Sequence, residues 1–449
     1  MKKRILAWVL ALVMIVGLLP TVTLAADLSG SGTKDDPYLI ATADDLAAFR
    51  TVVNTKANSG TNKFYAKLTE NIDLSEQGNW TPIGSSSSKV FAGELDGNGH
   101  TISGLTIKAA TTQYQGLFGY VKNGTIKNLT VEGSVETNSN QAAGIVGYGY
   151  PVTIENCTNK ASVTAITKGN IGGIVAGVGG ASEIINCSNE GNISGAAQLV
   201  GGIAGSASGA TIQNCENSGT ITCGADKPTQ NAFGVGGIVG AGGTSNSKST
   251  IIRCSNTGKI NSNIKSTGGI AGRLAGTMTA CYNTAAVTGI YETGGIVGGI
   301  GATGTTITDC YNLGSVTCNT TNPTFKDSSS STKAVGGIVG NSTGSSSKAT
   351  LTNCYNAETV TNSATAPTGI VAGSVIGSSK YSYSRNVITA TNCYYLSGTA
   401  ATGDGANGSG TITAKTETEL RASEMPGLLG GSYVADTNGG YPILGWQDP

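Results

Sequence analysis

Histidine is almost missing from this 449-residue chain, where His100 stands alone. A zinc site built on two helical histidines is therefore excluded. A Ser-His-Asp hydrolase would have to use His100, yet the one nucleophile-elbow match, Gly340-Asn341-Ser342-Thr343-Gly344, runs into a Ser-rich stretch instead of a helix. Charge is scarce too: 12% of residues are charged, against about 25% in ordinary domains. Lys+Arg and Asp+Glu are equal at 27 each, so nothing gives nucleic acid or an anionic membrane an electrostatic footprint. Ten prolines are too few for collagen. A hydrophobic content of 38% argues against a disordered chain. Cys-x-x-Cys is absent, which with one His makes zinc a poor fit. No apolar run after the N-terminus is long enough to span a bilayer.

What the chain does have is glycine, 68 residues, and repetition. Residues 1–26 open with Lys2, Lys3 and Arg4, continue through an apolar stretch, and end in Thr23-Leu24-Ala25-Ala26, the form of a cleaved secretory signal. Beyond it a Gly-Gly-Ile core recurs, as at Gly172-Gly173-Ile174, Gly201-Gly202-Ile203 and Gly294-Gly295-Ile296, spaced by 26 to 35 residues and once by 42. Between copies runs Ile-x-Asn-Cys-x-Asn-x-Gly-x-Ile/Val, for example Ile212 to Ile221. Cys215, Asn217, Gly219 and Ile221 share one parity, the period of a strand. Ile212 breaks it, which predicts a bend near Asn214. Each repeat supplies three short strands, and three strands with bends make one coil of a parallel β-solenoid. Ten or eleven coils at about 4.8 Å follow. The column before Cys is Asn except at Arg253, Ala280 and Asp309, and the column two after it is Asn up to Asn356 and then Tyr395; stacked amides in both can bond from coil to coil.

Eight cysteines, Cys157, Cys187, Cys215, Cys254, Cys281, Cys310, Cys354 and Cys393, share one repeat position, which earlier coils fill with Leu105 and Leu129. That substitution marks an interior apolar site, so mostly free buried thiols are expected. Cys223 and Cys318 lie three coils apart and cannot bridge. Two Gly-x-Gly-x-x-Gly matches, from Gly299 and from Gly403, open no helix and are read as loops. The acidic residues from Glu155 to Glu358 are scattered in sequence and in repeat offset, which disfavours a carboxylate-based polysaccharide enzyme. Glu358, in place of the usual Gly or Ala, is read as a local bend.

The cores Gly116-Leu117-Phe118-Gly119, Gly144-Ile145-Val146-Gly147 and Gly295-Ile296-Val297-Gly298 resemble the GLUG-type repeats of bacterial secreted and cell-surface proteins. Leu95-Asp96-Gly97-Asn98-Gly99-His100-Thr101-Ile102 resembles an early coil of pectate-lyase-like β-helices. The resemblance implies an all-β, right-handed parallel β-helix with small helical or irregular caps, on an extracellular bacterial protein with an adhesive or display role. Some relatives in that family are immunoglobulin A metalloproteases with a separate protease domain, whose two-His motif this chain lacks.

These readings divide the chain into a signal peptide (1–26), an N-terminal cap with a helix at Thr42 to Val53 (27–63), a solenoid (64–397), and a loop with a C-terminal cap (398–449). The expected function is non-catalytic: a secreted or surface-exposed adhesin or display module. The alternatives are a carbohydrate-active β-helix lyase or hydrolase, and a passive spacer. No cofactor or metal is expected. The partner would be an extracellular glycan or a surface protein, with no nucleic acid and no membrane span after signal cleavage. Insertions beside the Gly-Gly-Ile strand carry the candidate contact residues Lys227, Phe233, Phe325, Lys326, Tyr381, Tyr383 and Arg385, where aromatics neighbour cations. Tyr282, Tyr311, Tyr355 and Tyr394 form a second aromatic strip, better explained by sheet stability than by sugar stacking.

Overall fold

Glycine and asparagine at fixed offsets wind the chain into a right-handed parallel β-helix dominated by one 37-stranded sheet, with a second parallel sheet of eight strands. The computed structural model describes residues 28–448 except 56, 139, 167–168, 197, 225–233, 320–333, 343–347, 363–370, 379, 382–384, 387 and 406–409. The expected signal segment lies outside the described residues.

One coil shows the rule. Asn170–Gly172, Val175–Gly179, Glu183–Ile185, Ser188–Asn189 and Ile193–Gly195 are successive short strands. Each pairs in parallel with the next coil: Asn170 with Leu199, Val175 with Ala204, Glu183 with Thr211, Ser188 with Glu216, Ile193 with Ile221. The three expected strands are all present. Two further segments flank them, one before the Gly-Gly corner and one after Cys, because each corner interrupts the ladder without ending it.

The bend before Cys is a left-handed residue. Asn156, Asn186, Asn214, Asn353 and Asn392 have φ of 51° to 56°, a conformation Asn tolerates better than most residues. Their amides bond from coil to coil, Asn156 to Asn128 at 3.0 Å and Asn214 to Asn186 at 3.0 Å.

The second Asn column lies inside. Asn159, Asn189, Asn217, Asn256, Asn283, Asn312 and Asn356 are all fully buried. The column ends at Asn356, and from Asn159 to Asn312 each Nδ2 donates to the Oδ1 of the next coil's Asn at 2.7 to 2.8 Å. Its other hydrogen goes to the carbonyl two residues on, for instance Asn189 to Gly191 at 2.9 Å. A dry core accepts such a column because every internal amide is satisfied. The ladder also explains the glycine signature. A Cβ on Gly173 would lie 2.1 Å from Asn189 Oδ1, and one on Gly202 would lie 2.3 Å from Asn217 Oδ1. Glycine is required there by the amide of its own coil together with the carbonyl of the next coil's glycine, 2.3 Å away at Gly173 and 2.2 Å at Gly202, not by local backbone strain.

The cysteines fill the same interior, and all ten are buried and free. Each repeat thiol donates to nearby carbonyls, as Cys157 Sγ does to Glu155 O at 3.2 Å. Burial pushes the Cys157, Cys215 and Cys310 thiols up, which keeps them protonated. Leu129 precedes Cys157 in this column, since Thr130 pairs with Thr158. Leu105 does not: it pairs with Gly133 after a register shift, so the sequence alignment of that early coil needs correcting.

At the N-terminal end the helix Ala43–Thr55 buries Leu46, Phe49 and Val53. Thr42 and Asp45 cap it reciprocally, Asp45 N donating to Thr42 Oγ1 at 3.1 Å and Thr42 N to Asp45 Oδ2 at 3.0 Å. Phe49 contacts Phe91 at 6.0 Å between centroids, and Phe91 contacts Phe118 at 5.0 Å, so an aromatic file runs from helix to core. Among the described residues, no helix is long and apolar enough to cross a membrane.

Candidate functional site

Two outer surfaces depart from the repeat. The first is the flank formed by the residues either side of Cys. In early coils the position after Cys is Thr158, Ser188, Glu216 and Ser255, and then it becomes Tyr282, Tyr311, Tyr355 and Tyr394. The first three rings stack in a column, with centroids 5.1 Å apart and planes within 6° to 8°. The position before Cys departs from Asn over an overlapping set of coils, at Arg253, Ala280 and Asp309, and returns to it at Asn353 and Asn392.

The C-terminal segment packs over this flank and accounts for the tyrosines and for Asp309. After Gly410–Lys415 pairs with the last long strand, a capping box of Thr416 and Glu419 starts the short helix Glu417–Leu420. The chain then runs back along the flank. Tyr433 Oη donates to Asn353 O at 3.0 Å, Ser432 Oγ donates to Asp309 Oδ2, and Tyr355 Oη donates to Pro442 O. Farther on, Tyr311 Oη donates to Gln447 Oε1 at 3.0 Å, and Trp446 Nε1 donates to Ala280 O at 3.1 Å. Tyr311, Tyr355, Tyr433, Leu420, Met425, Leu429 and Leu444 form a separate buried core. The segment expected as a cap is thus a strap along the side of the rod. It covers Tyr311 and Tyr355, so these rings are packing groups. Burial raises the Tyr311, Tyr355 and Tyr433 phenols above their ordinary range.

The second surface is an aromatic platform near the other end. Tyr120 and Tyr148 occupy one register column on adjacent coils, and Tyr114 closes against both. Their centroids are 5.1 to 5.7 Å apart. Tyr114 holds a left-handed φ of 64°, and Gly147 lets its backbone approach, since a Cβ there would lie 2.6 Å from Tyr114 C. Tyr150 stands beside them, 45% exposed. The next coil continues the column with Gly177, then Ser206, so the rings end at a low step of small residues. Burial first, and the neighbouring phenols second, raise the Tyr120 and Tyr148 pKa values, which keeps both hydroxyls as donors. Partly exposed rings with neutral hydroxyls suit contacts with a glycan or with a protein side-chain patch. The sequence reading missed this group because its members are spread from 114 to 150 and only the coil register brings them together.

Of the residues singled out from sequence, Lys227, Phe233, Phe325, Lys326 and Tyr383 lie outside the described residues. Tyr381 and Arg385 are backbone register partners in a two-stranded antiparallel pair, Lys380–Tyr381 with Arg385–Asn386. Glu358 Oε2 accepts from the next backbone N–H at 3.1 Å, closing its own bend. Among the described residues, no three His, Cys, Asp or Glu side chains converge as metal ligands would.

The fold and its columns define a class, the parallel β-solenoid whose coil is its repeat unit. Residues 196–222 match the family model described as the GLUG motif, and that span is one coil, from just before Leu199–Gly201 to the strand Ile221–Cys223. The chain thus carries a GLUG motif at 196–222, and the matched coil's glycine, Asn and Cys positions recur along the rod. It is 36% identical over 164 residues to halomucin of Haloquadratum walsbyi, covering 34% of this chain and 2% of halomucin. It is 33% identical over 132 residues to a candidate Gly-rich membrane protein of Evansella cellulosilytica, covering 27% of this chain and 14% of that one. The chain therefore corresponds to a small part of either relative's length. A solved structure of a candidate immunoglobulin A1 protease from Bacteroides ovatus aligns over 93% of this chain and 94% of its own, at 21% identity and a TM-score of 0.36.

Proposed function

We propose that this protein is a secreted or surface-displayed solenoid that binds an extracellular glycan or surface protein without catalysis. The observation that carries the reading is the tyrosine platform: Tyr114, Tyr120, Tyr148 and Tyr150 present aromatic faces and neutral hydroxyls where most outward positions are small or polar. A rod held by backbone ladders and an internal amide column needs no such group for its own stability. The names of the two relatives, halomucin and a Gly-rich membrane protein, fit a surface setting.

The test is retention of the full chain on immobilised mucin, matrix proteins and polysaccharides, with soluble sugar products assayed in the flow-through. Retention without products, lowered at least tenfold by Tyr148→Ala with Tyr150→Ala, is the expected result. Soluble products would replace this reading with a carbohydrate-active enzyme. Retention on nothing would leave a spacer.

A further inference from the structure

The strap ends at a recess. Trp446 and Tyr282 form its wall, 5.6 Å apart and inclined by 36°, and Asn214, Cys215, Glu216, Arg253 and Ser255 form the rest of the lining. The recess is open to solvent and offers about 320 Å³, at the small end of the roughly 300–1,000 Å³ usual for ligand sites. That volume suits one sugar ring rather than a chain. Trp446 keeps 36% of its surface exposed.

We propose that this recess binds a neutral hexopyranose, as a site separate from the tyrosine platform. Three observations point to that class. The aromatic wall offers a flat face for the C–H side of a pyranose. The polar lining offers both kinds of hydrogen bond that vicinal hydroxyls need: the Arg253 guanidinium can only donate, and the Glu216 carboxylate can only accept. Their charges are opposite, so the lining selects neither an acidic nor a basic sugar. The third observation is the broken amide ladder. Asn128, Asn156 and Asn186 each give their Oδ1 to the Asn of the following coil. Asn214 cannot, because Arg253 occupies the next position with φ of 51°. Asn214 is the last Asn of this exposed ladder before the break, and it lines the recess, where its amide oxygen has no following Asn to accept from. Arg253 thus both interrupts a structural column and supplies a donor where it stops.

The full chain is mixed in turn with methyl glucopyranoside, methyl galactopyranoside, methyl mannopyranoside and glucuronate, and saturation-transfer NMR is recorded. The expected result is saturable transfer to the C–H protons of one face of a neutral pyranoside, lost in Trp446→Ala. Glu216→Gln and Arg253→Gln should each weaken binding at least tenfold. Both residues are exposed, so circular dichroism and the tyrosine titration of the strap should not change, which separates lost binding from lost folding. Tyr148→Ala with Tyr150→Ala should leave this signal intact, so the two sites stand or fall separately. No saturable transfer from any neutral pyranoside overturns the proposal. So does binding unaffected by both polar substitutions, or binding of glucuronate alone.

Discussion

Replacing Asn256 tests whether the buried amide column holds the coils together. Its Oδ1 accepts from Asn217 Nδ2 at 2.7 Å, and its Nδ2 donates to Asn283 Oδ1 at 2.7 Å and to Gly258 O at 2.9 Å. Asn256→Ala therefore strands one N–H and two oxygens in a fully buried environment. Each stranded group costs about 1–3 kcal/mol, and the polar gap has room to admit a water, so we take the lower figure and expect a loss of about 3 kcal/mol. Asn256→Leu keeps the branched four-atom skeleton in a bulkier form and shuts out that water, and the loss should rise to about 4–6 kcal/mol. Asn256→Asp is the sharper probe, since it puts an acceptor against two acceptors. Burial and those oxygens raise its folded pKa above the unfolded value near 3.9. The sign follows directly: the neutral acid, with its own O–H, is tolerated at low pH, and stability falls as pH rises above the unfolded value. Because each coil leans mainly on its neighbours, the loss should be local first. Hydrogen exchange at the amides of residues 216–219, 255–258 and 282–285 should therefore speed up before the rest, alongside a lower urea midpoint. A cost below about 1 kcal/mol for Asn256→Ala, or equal stability of Asn256→Asp at pH 4 and pH 8, would refute the reasoning.

Gly173→Ala forces a Cβ to within 2.1 Å of Asn189 Oδ1 and 2.3 Å of Gly202 O, and should cost about 3 kcal/mol in a denaturant titration. Gly427→Ala, with open space around it in a helix, should gain about 0.5–1 kcal/mol in the same assay. All ten cysteines should resist a thiol reagent in the native chain and react once it is denatured; a reactive native thiol would contradict their burial. The strap should come off in alkali. Tyr311, Tyr355 and Tyr433 titrate above the usual phenol range when folded, so the stability they contribute is complete below about pH 10 and is lost as pH rises through their folded values. Phenolate absorbance should show at least three delayed tyrosines ionising together with a change in Trp446 fluorescence.

Much of this molecule was legible before folding because a solenoid repeats one local argument. The parity of Cys215, Asn217, Gly219 and Ile221 marked the inward face, and all four are buried. The Asn before Cys marked a left-handed bend, which φ confirms. Even the strap had a signature, overlapping departures in two columns: Arg253, Ala280 and Asp309 in place of Asn before Cys, and Tyr282, Tyr311 and Tyr355 in place of the smaller or polar residues after it. Nothing in those columns says what covers them, since a stacked tyrosine reads the same whether solvent or chain lies over it.

Sequence alone determined the coil: its period, its bends, its interior thiols and the amide columns, because each depends on residues a few positions apart or one repeat away. Tertiary structure decided the rest. Register brought Tyr114, Tyr120, Tyr148 and Tyr150 onto one surface, and set Leu105 against Gly133 instead of in line with Leu129. The return of the C-terminal segment placed Trp446 against Tyr282, across 164 positions of sequence. No local pattern encodes that meeting, which rests on a second apolar core that exists only when flank and strap are folded together.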